Sequence, residues 1–458
     1  MLIDKHQADN IFRRVPGLTI KMNPELAAID TVLEDNELFC LVRSDLACRH
    51  PQTEIRGRKS TPVEVILRML AVKHLYNWSY EQTEQHVCDS LVLRQFCRVY
   101  FHTVPDHTTL WRWAQFIQPA TLAAFNERVL ALAVAHKLTR GRKLRMDAMV
   151  VETNIHYPTD SSLLADGVRV LGRSLTRAKA IVGQAAELSQ RVFRNRTRSA
   201  KQAAREVGRL SRHGREKTLA AYKRLVYTAR ATVRQVEKVL VALQAQETIA
   251  GKRLVETMQR FLPRLRQVLN QTVRRVFEEQ AVPAEEKLVS IFEAHSDIIR
   301  RGKPRKSAEF GHKVWLGEVE GGFIAQYTVL DGNPADKKQW QPTLERHLEQ
   351  FGHPPWQASG DRGVHSPDNE RVAEKLGVKR VVLPQPGYKS KKRRVHEKQR
   401  WFRRGRHFHA GVEGRISVIS RKHGLDRCRN HGRLGFKQWV GWGVIVNNLT
   451  ALGRGLSP

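Results

Sequence analysis

HKVWLGEV (residues 312–319), EGG (320–322) and FIAQYTVL (323–330) are the stretch on which the reading of this chain turns. Two runs rich in Val, Ile, Trp and Phe flank a Glu-Gly-Gly turn, so they predict two strands joined as a hairpin. Upstream, the next strand-like run is remote: KLRMDAMVVE at 143–152. Downstream, a helix is expected over about 336–350, followed by a short strand ending at Gly360. Ser366-Pro367-Asp368-Asn369 then caps a helix that Gly377 terminates. Residues 378–383 read as another strand, and a last helical stretch runs from near Ala410 to Gly424.

Without the long gap after the first strand, the order is three strands and then helix, strand, helix, strand, helix. An antiparallel hairpin followed by alternating units is the ribonuclease-H-like layout, a mixed α/β sheet flanked by helices. The gap is distinctive in itself. Residues 171–280 hold one proline, Pro263, no tryptophan, and 25 Lys or Arg against 8 Glu. Val, Leu and Ala recur there at three-to-four spacing, which predicts a long basic helical insertion, over about 165–285, inside a domain spanning 140–458. Its few aromatic residues argue against a compact core of its own. It reads as a clamp on a polyanion, a dimer-forming helical pair, or both.

Residues 56–120 read as an all-α domain behind an N-terminal segment, 1–55. Thr61-Pro62-Val63-Glu64 resembles a capping box with proline at the first helical position, and further helices open at Ser79, near Asp89 and at Asp106. Short helices with tight turns suit a helix-turn-helix-like module, with residues 107–117 as its reading helix, or else a bundle that touches no DNA.

Charge narrows the partners. Lys and Arg number 79 against 45 Asp and Glu, a net of +34 in 458 residues, with a pI near 10.5. Such an excess disfavours a compact fold unless a polyanion neutralises it, and nucleic acid is the obvious one. No run approaches 18 uncharged apolar residues and the first ten lack a signal-peptide pattern, so a cytoplasmic protein with no membrane partner is expected. The five cysteines are odd in number and form no CxxC, which disfavours a disulfide framework or a zinc ribbon.

Three acidic residues stand out. Asp147 lies in the apolar run 146–151, where a carboxylate needs a cationic partner, either a metal ion or Arg145 two residues away on the same face. Asp361 follows a strand at its carboxyl end, where open sheets place ligands, though it also suits a turn. Glu413 falls in the first turn of the expected 410–423 helix, flanking a buried stripe of Val412, Ile416 and Ile419. Glu397 and Glu374 compete with it. Carboxylates at those three places in this layout suit two Mg²⁺ or Mn²⁺ ions and in-line attack on a phosphodiester.

RMDAMVVETNIHYPTDSSLL, KSAEFGHKV, SGDRGVHS, HAGVEGRIS and the closing VIVNNL resemble bacterial insertion-sequence transposases of the DDE class. The segment from GRKSTPVEVILRML to PDHTTLWRW resembles their N-terminal helical domain. The resemblance implies metal binding by Asp147, Asp361 and Glu413, recognition of terminal inverted repeats, cleavage and strand transfer, and a dimer or larger homo-oligomer on DNA. Relatives often carry Tyr, Arg and Lys around the glutamate, where this chain has Arg406, His409 and Ser420. DNA contact is expected from Lys389, Lys391, Lys392, Arg393, Arg394, Arg403, Arg404 and Arg406, with Tyr388, Trp401, Phe402 and Phe408 interleaved, and from Arg415, Arg421 and Lys422. Lys303, Lys306 and Lys313 are further candidates for tracking the backbone. His407, His409, His423, Cys428 and His431 match no standard zinc spacing. Two other functions fit the composition: a structure-specific endonuclease on the same fold, and a non-catalytic, domesticated DNA-binding protein.

Overall fold

The computed structural model of the protein describes residues 1–7, 21–182, 189–245, 248–300 and 308–457. The chain folds as two compact units, residues 1–154 with 312–458, and residues 155–311. Seven helices open the first: α1 (Pro24–Val32), α2 (Asn36–Ala47), α3 (Val63–Leu75), α4 (Tyr80–Asp89), α5 (Leu91–Phe96), α6 (His107–Ala114) and α7 (Pro119–Ala135). Strand β1 (Lys143–Glu152) follows. The second unit holds α8 (Asp160–Val182), α9 (Thr197–Leu210), α10 (Arg215–Gln244), α11 (Ile249–Val276) and β2 (Asp297–Ile299), which pairs antiparallel with residues 309–311. The chain continues through β3 (Glu309–Val319), β4 (Phe323–Val329), α12 (Trp340–Phe351), β5 (Gln357–Ser359), α13 (Pro367–Lys375) and β6 (Arg380–Val382). Helices α14 (Lys391–Lys398), α15 (Arg400–Lys422) and α16 (Gly432–Leu456) complete it.

In the first unit the strands lie in the order β4–β3–β1–β5–β6. The β3–β4 pair is antiparallel, from Val314 opposite Val329 to Val319 opposite Phe323. Gly321 and Gly322 turn it at φ of 84° and 81°, a region that glycine enters without a Cβ clash. The turn is tied down: Glu320 Oε1 accepts from Arg140 N and Arg142 N, and Oε2 from Lys143 N. Parallel pairing joins β1 to β5 and β5 to β6.

The helices before β1 share one apolar core with the sheet: Leu38, Ile66, Phe96 and Phe125 belong with Trp315, Phe323 and Ile445. Helix α3 is buried on every face, charged residues included, and so needs cover from all sides. Buried Arg68 is met by Asp30 at 2.5 Å and Glu64 at 3.2 Å. Two starts differ from expectation. Helix α3 begins at Val63 with Pro62 as its uncapped N-cap, and the true capping box is Ser79 with Gln82 at α4. Helices α1 and α2 give regular structure to a stretch read only as a leading segment, and Asn23 and Asp35 cap them.

The second unit has a compact core of its own, which corrects the expectation from its low aromatic content. Leu164, Leu171, Leu225, Val236, Met258 and Leu265 fill it, with Phe193 the one aromatic residue buried there. Aliphatic side chains on four long helices interdigitate well enough to close it.

Helix α16 was not legible as a helix, and it proves to be the centre of the first unit. Residues 438–450 are all buried, so no polar face marks its period. Asn448 serves the edge strand: its Oδ1 accepts from Ile324 N at 2.8 Å, and its Nδ2 donates to Ile324 O at 2.9 Å and to Asn126 Oδ1 at 2.8 Å. Asn447 Nδ2 donates to Gly322 O at 3.2 Å. Replacing Asn448 with Leu strands the Ile324 amide and Asn126 Oδ1 away from water, while Asn126 Nδ2 still donates to Ile324 O at 3.1 Å. The expected cost is about 3 kcal/mol, read as a fall in the urea midpoint at unchanged slope, and a loss below 1 kcal/mol would show that the edge strand is held otherwise.

Candidate active site

Asp147 sits half-buried in the middle of β1, and its Oδ1 accepts from Ala148 N at 2.7 Å. Pairing of β1 with β5 runs through Lys143–Gln357 and Leu144–Ala358 to Arg145–Ser359. Two residues further along both chains are Asp147 and Asp361. Parallel neighbours in register carry side chains to the same side, so both aspartates belong to the carboxyl end of β5. Arg145, the alternative partner for Asp147, is engaged elsewhere: Nη2 and Nε reach Glu318 at 2.6 and 2.7 Å, and Nη1 donates to Phe408 O at 2.6 Å.

Asp361 is partly buried, and its Oδ1 accepts from Val364 N at 3.1 Å. Burial pushes its carboxyl above the usual aspartate range, and the neighbouring Asp336 carboxylate pushes the same way. Gly363 shows how close those two are. A Cβ built there would lie 3.3 Å from Asp361 Oδ1 and 3.8 Å from Asp336 Oδ2. The two carboxylates therefore flank one small space that glycine leaves open. Lys313 of β3 holds Asp336 from the other side, with Nζ 2.7 Å from Oδ1 and 3.1 Å from Pro334 O.

Asp336 is the site residue that sequence reasoning missed. It lies in a 3₁₀ turn, Asp336–Gln339, just before α12, where an acidic residue is unremarkable as a favourable charge near a helix N-terminus. The proline two residues earlier, Pro334, is the one local hint, because it fixes the turn that Lys313 reads.

Glu413 lies elsewhere on its helix than expected. Helix α15 starts at Arg400, ten residues before the predicted start, so Glu413 is in its middle and not in its first turn. The basic run 389–409 carries no proline, and most of it is helical, in α14 and the first half of α15. Val412 and Ile419 are buried and Ile416 partly so, as the stripe predicted, and Glu413 is exposed beside them. Among the described residues Glu413 makes no hydrogen bond or ion pair, and no group of three or more His, Cys, Asp or Glu is arranged to hold a metal ion. Asp361 thus lies beside Asp336 across Gly363 and two residues beyond the end of the strand that pairs with β1, whereas Glu413 stays on an open face.

The competitors are resolved by their surroundings. Glu374 is exposed on α13. Glu397 is buried and fully used, accepting from Lys389 Nζ at 2.5 Å, Arg393 Nε at 2.9 Å and Gln385 N at 2.9 Å. Lys389 and Arg393 are therefore spent on internal pairs, Arg393 also on Glu370 at 2.7 Å. Arg415 likewise reaches Glu318 at 3.3 Å and Asn447 at 3.1 Å. Lys391, Lys392, Arg394, Arg403, Arg404, Arg406, Arg421 and Lys422 keep exposed side chains. Of the interleaved aromatics, Tyr388 is exposed, Phe402 is buried, and Phe408 lies 4.9 Å beneath the Arg145 guanidinium. His409 is buried beside Arg145, and both effects lower its pKa to about 4, so it is neutral at pH 7. Lys303 and Lys306 lie outside the described residues.

In the helical region, α6 buries Leu110, Trp113 and Ala114 and turns Thr108, Trp111 and Arg112 outward. Asp106 caps it through Thr109 N at 2.9 Å, and His107 pairs with Glu84 at 2.8 Å. No helix among the described residues is long and apolar enough to cross a membrane.

Residues 18–115, about a fifth of the chain, match the family model described as a transposase domain (DUF772). No curated protein and no solved structure matches the chain. The match supports a transposase, an enzyme that moves DNA, in general terms.

The Glu397 cluster gives a pH test that separates structure from chemistry. Burial alone would raise this carboxyl, but hydrogen bonds from Lys389, Gln385 N and Arg393 override it and hold it at about 2. A depressed carboxyl stabilises the fold at neutral pH, and that contribution fades as pH falls from the ordinary 4.5 through about 2. Glu397→Gln should therefore cost about 2 kcal/mol at pH 7, since it leaves half-buried Lys389 without its carboxylate and Arg393 with Glu370 alone. The difference from the native protein should shrink steadily in denaturation curves taken at lower pH. A difference independent of pH would show that the cluster is not ionic.

Proposed function

We propose that the protein is a DDE-class transposase with a ribonuclease-H-like catalytic unit, binding terminal inverted repeats and cutting and transferring DNA strands. The observation that carries the reading is a sheet of order β4–β3–β1–β5–β6 with Asp147 on β1 and Asp361 two residues past the end of its parallel neighbour β5, in a chain whose residues 18–115 match a transposase domain. The mixed sheet and its strand order support the proposed ribonuclease-H-like layout. DNA as substrate agrees with the net charge of +34.

The donors fit hard divalent cations. All are carboxylate oxygens, one of them carries a pKa raised by burial and by the neighbouring Asp336, and Gly363 leaves the space beside two of them open. Two Mg²⁺ or Mn²⁺ ions held there would supply charge neutralisation at the phosphate and acidify the attacking water or 3′-hydroxyl. Asp147 and Asp361 are the proposed metal ligands, and Glu413 or Asp336 is the third carboxylate. Lys313 holds Asp336 in place and offsets part of the negative charge of the pair. Lys391, Lys392, Arg403 and Arg404 are proposed to grip phosphates beside the reacting strand, while Lys389, Arg393 and Arg415 keep the helices that carry them in position. A homo-oligomer would bring two DNA ends together.

Asp147→Asn and Asp361→Asn should each lower Mg²⁺-dependent cleavage and strand transfer by at least about 10³-fold with DNA binding retained. Retained cleavage in either variant sinks the DDE assignment, and cleavage without joining of a 3′-hydroxyl end would indicate a structure-specific endonuclease. Comparing Glu413→Gln with Asp336→Asn identifies the third carboxylate, because the true ligand falls by a similar factor and the other by less than tenfold. Replacing Arg403 and Arg404 together with alanine should reduce the slope of log affinity against log salt by about 2. An unchanged slope would remove them from the interface.

A further inference from the structure

We infer that the 155–311 unit carries a binding groove for an unpaired segment of a DNA strand, with Tyr227 as its stacking platform. The inference rests on the proposed reading that DNA is the substrate, and it names a contact that the reading does not require.

Helix α10 presents one stripe to solvent, Lys223, Tyr227, Arg230, Arg234 and Lys238, at intervals of four, three, four and four residues. That spacing keeps all five on one face, along about 22 Å of helix. Tyr227 is 64% exposed. Among the described residues Lys223, Arg230, Arg234 and Lys238 have no acidic partner, although neighbouring Arg224 pairs with Glu206 and Arg266 with Glu237. Four cations left without an acidic partner make the stripe strongly positive.

The stripe also borders a groove. A cavity of about 610 Å³ opens between α10 and α11, with Lys223, Tyr227, Arg230 and Arg234 on its rim and Val233, Leu269, Val273 and Phe277 deeper in its lining. A second cavity, of about 580 Å³, lies on the other side of Tyr227, towards α9. The phenol ring is thus the ridge between two hollows. A duplex presents only phosphates and sugars to a helix face of this kind and would leave the apolar floor empty. An unpaired strand satisfies both parts: its phosphates meet the cations, and its bases meet the ring and the aliphatic floor. An amphipathic acidic helix from a second copy would demand a run of Asp and Glu, and this chain is basic almost throughout.

The test is equilibrium binding of the full-length protein, without divalent ions, to a fluorescent single-stranded oligonucleotide and to the matching duplex. Since no cleavage is required, the outcome is independent of whether Asp147 and Asp361 are catalytic. Tyr227→Ala should weaken single-strand binding about tenfold and duplex binding less than twofold, and Tyr227→Trp should keep the native affinity. Arg230→Ala with Arg234→Ala should weaken both and lower the salt slope by about 1.5. Photocrosslinking with a 5-bromouracil strand should yield an adduct on the peptide containing Tyr227. Equal losses for both nucleic acids in Tyr227→Ala, or an unchanged single-strand affinity, would overturn the inference. So would a change in oligomeric mass by light scattering with no change in binding, which would assign the groove to a second copy. Helical content by circular dichroism verifies that the variants fold.

Discussion

The buried carboxylate of Glu318 is the constraint on which the first unit depends. It is 1% exposed at the end of β3, and it takes Arg145 from β1 through two short hydrogen bonds and Arg415 from α15 through a third. An ionised carboxylate so placed is tolerable only with its cations in position. The strand that bears Asp147, the hairpin and the helix that bears Glu413 are consequently locked at one point. Arg145 also carries Phe408 and its carbonyl, and Arg415 packs onto the hairpin turn where Gly322 leaves it room and also reaches Asn447 of α16. Apolar packing alone would hold these elements together, but the charge set fixes their register, since a slip of one residue would bury an unpaired charge.

Against that frame the openness of the acidic site is meaningful. Burial and Asp336 both raise the Asp361 carboxyl, and nothing within the described structure fully offsets them, whereas Glu397 and Glu318 a short way off are each met by two cations. The chain has 79 basic residues and could have neutralised Asp361 as it does these others. Asp361 keeps a raised carboxyl although Lys313 reaches its neighbour Asp336, and such a carboxylate pair suits the divalent cations proposed above.

Much of this was readable from the chain. The hairpin, the Ser366-capped helix and the stripe of Val412, Ile416 and Ile419 all follow from local rules of period, turn and cap. What was missed shares one physical cause, burial on all sides or dependence on a distant partner. Helix α16 has no polar face to betray it. Asp336 gains significance only because Lys313 and Asp361 reach it from elsewhere in the sequence. Glu413 was misplaced within its helix because a run of ten Lys and Arg in 389–409 looks like a loop until Glu397, Glu370 and the sheet absorb part of its charge. The second unit was denied a core because aromatic content is a poor measure of how much apolar volume Leu and Val can fill.

The self-sufficient core of the 155–311 unit bears on how the sheet assembles. The 156 residues from 153 to 308 separate β1 from β3, which are neighbours in the finished sheet. Closing a flexible loop of that length carries an entropic cost that grows with the logarithm of its size. Helices rich in local contacts form quickly and first, so the unit can collapse before the strands meet and shorten the effective loop to a few linking residues. A tenfold shorter loop lowers the closure cost by about 2 kcal/mol. A long interruption of a catalytic sheet is thereby compatible with efficient folding, because the inserted residues form their own nucleus and do not delay the one around them.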